Sequence, residues 1–143
     1  MIQTVALELS LPLPPSLNEM LDLAKQRTRR TSSGGCMKTS RPMVYDNHLK
    51  AYELHAISVL RLAGFTPPSA PFPRWRLARA AFYLHNLRDP IELMASLKWP
   101  VDALVRYRVV ENDSPRELVD VCIPTQSIDR KSPRVLLTIQ EVD

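Results

Sequence analysis

The sequence predicts one α/β (α+β) domain built on a small mixed β-sheet with helices packed on one face. Three observations carry this. Apolar and polar residues alternate as in strands near both ends of the sequence and once in its middle. Two stretches with helical spacing lie between those strands. Runs rich in Pro, Asn or Asp separate the elements. The 143 residues can bury about two thirds of the surface the unfolded chain exposes, enough for one core. Hydrophobic residues at 45% and charged residues at 24% exclude wholesale disorder but suit enzymes and binding modules alike.

The elements follow in order. Thr4 to Leu11 alternates and reads as a strand that ends at Pro12. The closely spaced Pro12, Pro14 and Pro15 fix φ and remove backbone donors, so residues 12–18 form a stiff extended turn. Residues 19–42 lose clear periodicity and carry Thr31-Ser32-Ser33-Gly34-Gly35; they read as a flexible basic loop reaching to about residue 45, with a short helical turn at Glu19 to Lys25. Asp46 is placed as the N-cap of a helix that stops at Gly64. After Pro67, Pro68, Pro71 and Pro73, the stretch Trp75 to Leu84 alternates cations with apolar residues as a strand. Leu93, Leu97, Val101, Leu104 and Val105 then mark a second helix, starting after Pro90 or at Pro100. Leu118 to Ile123 and Arg134 to Gln140 close the sequence as strands.

Nineteen Lys and Arg against fifteen Asp and Glu give a net charge of +4, which favours a polyanionic partner. Its distribution is uneven. Lys25, Arg27, Arg29, Arg30, Lys38 and Arg41 fall between Leu23 and Tyr45, a segment without Asp or Glu. A solvated charged loop would look the same. Cys36 and Cys122 stand alone, with no metal-ligand spacing, so they read as free thiols in a reducing compartment. No apolar run approaches the ~20 residues that span a bilayer, and no leader pattern opens the sequence. Those features predict a cytoplasmic protein with no membrane partner.

Asp89 follows the middle strand, Glu92 comes three residues later, and Asp113 opens the loop after the second helix. Side chains at strand ends can converge on a ligand while the scaffold stays rigid. Carboxylate oxygens suit a hard cation such as Mg²⁺, and Lys98 would add a cation beside a scissile phosphate. The same carboxylates also suit a helix N-cap and an Asx-turn, so spacing leaves both readings open.

Longer motifs narrow the choice. Leu11-Pro12-Leu13-Pro14-Pro15-Ser16-Leu17-Asn18 resembles the opening signature of the RusA-like Holliday junction resolvases, where a strand enters a Leu-Pro-x-Pro-Pro-Ser-x-Asn turn. Arg88-Asp89-Pro90-Ile91-Glu92-Leu93, then Lys98, Asp102-Ala103-Leu104 and Asn112-Asp113-Ser114, is similar to the second signature of that family. The closing strand Arg134 to Glu141 resembles its ending, so the matches extend from about residue 4 to 141. The resemblance implies a Mg²⁺-dependent homodimer that places symmetric nicks in four-way or branched DNA, of a kind encoded by phages or prophages. It assigns Asp89 and Asp113 as metal ligands and Lys98 as the catalytic lysine.

Two acidic positions depart from the pattern. Ile91 stands where many members carry a second Asp, and Asn112-Asp113 stands where the usual acidic pair precedes the Ser-like position; Glu92 in turn replaces the usual Asn. We expect Glu92 to supply the missing carboxylate, making the site Asp89, Glu92, Lys98 and Asp113. The alternative is that Glu92 faces solvent and the chain binds branched DNA without cutting it. Lys25, Arg27, Arg29, Arg30, Lys38, Arg41 and Arg76 are the expected phosphate contacts.

Overall fold

The computed structural model describes residues 4–25, 28–30, 36–38 and 41–143, with the side chains of residues 25, 28–30, 36–38 and 41–43 outside that description. It is a mixed α+β arrangement. The chain runs β1 (Ala6–Leu11), α1 (Leu17–Lys25), β2 (Thr28–Arg30), β3 (Cys36–Lys38), α2 (Arg41–Leu62), β4 (Trp75–Leu84), α3 (Pro90–Ser96), α4 (Lys98–Arg106), β5 (Leu118–Val121), β6 (Thr125–Ile128) and β7 (Arg134–Glu141).

Five strands form the main sheet. β1 pairs antiparallel with β7, β7 antiparallel with β4, and the far edge of β4 carries β5 and β6, both parallel to it. β7 shows the cleanest alternation, with Val135, Leu137 and Ile139 fully buried and the residues between them partly exposed. β4 begins in the same way, burying Trp75 and Leu77, and then changes phase to bury Ala80, Phe82 and Leu84. A register shift against β7 between Leu77 and Arg79 accounts for the change: one extra residue turns every later side chain to the other face unless the strand bends to compensate.

The buried face meets the helices in one core that joins Leu9 and Leu11 of β1 to Tyr52, Ala56 and Leu60 of α2, Leu93 and Leu97 of the α3 end, and Trp99 and Leu104 of α4. Each fully buried Leu contributes about 1.5–3 kcal/mol relative to an exposed one, so this shared face, more than intrinsic propensity, holds the short helices. The Pro-rich turn is tied in at one point, where the Tyr52 hydroxyl donates to the Pro12 carbonyl at 2.8 Å.

Several boundaries differ from expectation, each for a local reason. α1 is a nine-residue helix, longer than the expected turn at Glu19 to Lys25, because Ser16 and Glu19 form a reciprocal capping box: Glu19 N–H donates to Ser16 Oγ, and Ser16 N–H donates to Glu19 Oε2. β2 and β3 pair as a short antiparallel ribbon within the segment read as loop. α2 starts at Arg41, so Asp46 lies inside the helix and is not its cap. Pro42 occupies the first turn, where a backbone N–H has no intrahelical acceptor. The second expected helix is two helices that break at Leu97. The strand expected over Leu118 to Ile123 ends at Val121, and β6 follows Pro124 as a separate strand. No helix among the described residues is long and apolar enough to cross a membrane.

Candidate functional site

The ends of β4 and β5 and the α3–α4 pair converge around Lys98. Lys98 is the first residue of α4, and its side chain reaches two carboxylates: Nζ lies 3.0 Å from Asp102 Oδ1 and 2.5 Å from Asp113 Oδ2. Asp102 sits one helical turn on, the spacing at which helix side chains meet. Asp113 comes from the loop beyond α4, and that loop is anchored from the sheet. The buried Trp75 of β4 donates its indole N–H to the Asn112 carbonyl at 2.8 Å, the Asp113 N–H donates to Asn112 Oδ1, and the Ser114 hydroxyl donates to Glu117. Lys98 and Asp113 border a cleft of about 310 Å³ that Leu77, Leu97, Val101 and Leu118 also line.

The electrostatics of this trio follow from crowding. Burial alone would lower the Lys98 ammonium, but hydrogen bonds and charge from Asp113 and Asp102 outweigh it and leave its pKa above the ordinary lysine value. For Asp102, burial pushes the carboxyl up; Lys98 pulls it down, but the neighbouring Asp113 charge pushes it up again, and the net shift is upward. One ammonium thus serves two carboxylates.

Asp89 has a different local role. It is the N-cap of α3, its Oδ1 accepting the Ile91 N–H at 2.8 Å, and Pro90 fills the first helical position as a residue without an N–H can. Glu92 lies in the first turn of that helix, half-buried. Ile91, where the resemblance expects an acid, is 78% exposed. Among the described residues no three His, Cys, Asp or Glu side chains come together in a group that could hold a metal ion. The structure therefore joins Lys98 to Asp113, keeps Asp89 and Glu92 on α3, and adds Asp102, which the site expected from sequence omitted. Its i, i+4 spacing from Lys98 was the signal.

Of the expected phosphate contacts, Arg76 is exposed on β4 between the buried Trp75 and Leu77. It therefore points to the sheet face opposite the helices, and its Nε donates to Gln140 Oε1 at 2.6 Å. The side chains of Lys25, Arg27, Arg29, Arg30, Lys38 and Arg41 lie outside the described residues. The chain matches no protein-family model and no curated protein.

Proposed function

We propose that this chain is a RusA-like, Mg²⁺-dependent endonuclease that resolves Holliday junctions and other branched DNA by paired symmetric nicks, acting as a homodimer. One observation carries the reading: the Lys98 ammonium held by Asp102 and Asp113 at the rim of an open cleft, in the order Lys, Asp-Ala-Leu, Asp that the family signature shares. The five-stranded mixed sheet with its helical layer is compatible with it.

The donor chemistry suits the cation. Asp89 and Asp113 offer carboxylate oxygens, the donor type a hard cation prefers, and Mg²⁺ commonly uses only one or two carboxylates together with phosphate oxygens. Asp102 and Asp113 already gather around a positive charge, the Lys98 ammonium. Asp89 and Asp113 would hold the metal, with Glu92 the substitute for the acid that Ile91 replaces. A Mg²⁺ held there would supply an activated water and offset charge on the phosphate oxygens. Lys98 remains protonated and supplies a fixed positive charge where charge develops on the phosphate. Asp102 keeps that ammonium from swinging into solvent.

A synthetic four-way junction, end-labelled in turn on each strand and incubated with Mg²⁺ or with EDTA, tests the reading. The expected result is a pair of symmetric nicks with Mg²⁺ and none with EDTA. Binding without nicks would overturn it in favour of a second reading, a protein that holds branched DNA without cutting, which the exposed Ile91 at an expected acidic position supports.

A further inference from the structure

Gln126 has no part in the chemistry above, yet its side chain grips the backbone just before Asp89. It lies on β6, opposite Phe82 of β4. Its amide makes two bonds to one residue: the Arg88 N–H donates to Gln126 Oε1 at 2.9 Å, and Gln126 Nε2 donates to the Arg88 carbonyl at 2.8 Å. The β4–β6 ladder ends at Leu84 and Ile128. Four residues further on, the glutamine amide offers Arg88 the donor and acceptor that a strand neighbour would have offered. Two more bonds from the end of β6 steady the path between, from Asp129 N–H to the Leu84 carbonyl at 2.9 Å and from Arg130 Nε to the His85 carbonyl at 3.3 Å. The buried Nη1 of the Arg88 side chain has no hydrogen-bond partner among the described residues.

We propose that Gln126 is a positioning residue that aims the Asp89 carboxylate, an inference that rests on the reading of Asp89 as a metal ligand. The Arg88 carbonyl and the Asp89 nitrogen belong to one planar peptide, so fixing that carbonyl fixes the plane from which Asp89 departs. The cap bond to Ile91 commits Oδ1 and leaves Oδ2 to face a cation. Partners behind a metal ligand commonly change metal affinity 10–100-fold when removed, and a carboxylate whose backbone can rock loses its aim in the same way.

The test compares wild type with Gln126→Ala and with Gln126→Asn, which stays polar but is one methylene too short to reach Arg88; Asp89→Asn is the reference for a lost ligand. Mn²⁺ binding without DNA is read by electron paramagnetic resonance, and exchange of the Arg88 amide proton by NMR. Both Gln126 variants should weaken Mn²⁺ about tenfold and speed Arg88 amide exchange, while binding branched DNA in EDTA as wild type does. Unchanged Mn²⁺ affinity in Gln126→Asn, with affinity lost in Asp89→Asn, would overturn the role of Gln126 and leave Asp89 as a ligand. Wild type that binds no Mn²⁺, or Asp89→Asn that binds as well as wild type, would overturn the reading of Asp89 and this inference together.

Discussion

Lys98 Nζ stands 2.5 Å from Asp113 Oδ2, so the first residue of α4 is linked to the loop that follows the helix. The Lys98 side chain is 56% exposed, and an ion pair that open to water contributes only about 0–1 kcal/mol to stability. The link therefore matters chiefly for where it holds the two groups. Substituting Lys98→Met or Asp113→Asn should lower kcat for junction cleavage about 10²–10³-fold, the scale reported for losing one preorganised electrostatic partner. Junction affinity measured by gel shift in EDTA should change by only a few-fold. Cleavage within a factor of three of wild type in Lys98→Met would remove the lysine from the mechanism.

Lys98→Met also makes a stability prediction with a defined pH direction. In wild type Asp102 already titrates above the ordinary carboxyl range because burial and Asp113 outweigh Lys98. Without the ammonium nothing offsets the burial of Asp102 and the neighbouring Asp113, and the Asp102 carboxyl moves further up. A carboxyl whose folded pKa exceeds its unfolded one weakens the fold when ionised, so the penalty is fully present above the folded pKa and disappears as pH falls below the unfolded value near 3.8. The Tm deficit of Lys98→Met should therefore be largest at pH 7–8 and shrink toward pH 4, as followed by circular dichroism. A deficit that is flat across this range would mean that the two carboxylates do not share one field.

How far the sequence discloses this arrangement depends on whether a signal is local. The alternation of Val135, Leu137 and Ile139 marks β7 because one face of the strand is core and the other is not. Lys98, Asp102 and Asp113 are readable as a motif, since four residues of helix bring the first two together. β6 is not readable in this way: four residues with little apolar content, Thr125–Ile128, are held by parallel pairing to β4 more than forty residues earlier. The Gln126 clamp on Arg88 is hidden for the same reason. The start of α2 has no local marker, since its first turn carries no acidic residue, whereas the Ser16/Glu19 capping box that starts α1 is a local pattern.

Trp75 ties the core to the site. It is fully buried, and its indole N–H satisfies the Asn112 carbonyl next to Asp113. Trp75→Phe keeps most of the apolar volume but removes that donor; Asn112 is exposed, so water can take its place and the lost bond costs about 0.5–1.5 kcal/mol. Urea unfolding should show a destabilisation of that size with little change in m-value, and cleavage should fall because the Asp113 loop is held less firmly. Wild-type stability in Trp75→Phe would show that the indole bond is dispensable.

Six cations without an acid between Leu23 and Tyr45 give this segment the strongest local claim on phosphate, whereas Arg76 lies on the opposite sheet face from the helical layer with its guanidinium already bonded to Gln140. Each phosphate contact releases counterions and adds about 0.9 to the slope of log affinity against log salt on duplex arms. Changing Arg27, Arg29 and Arg30 together to Ala should weaken binding of branched DNA and flatten that slope by about two to three for each protomer bound. Arg76→Ala should have a smaller effect than the triple change. Fluorescence anisotropy across a salt series separates the two, and a triple variant whose slope matches wild type would show that the phosphates are met by other residues.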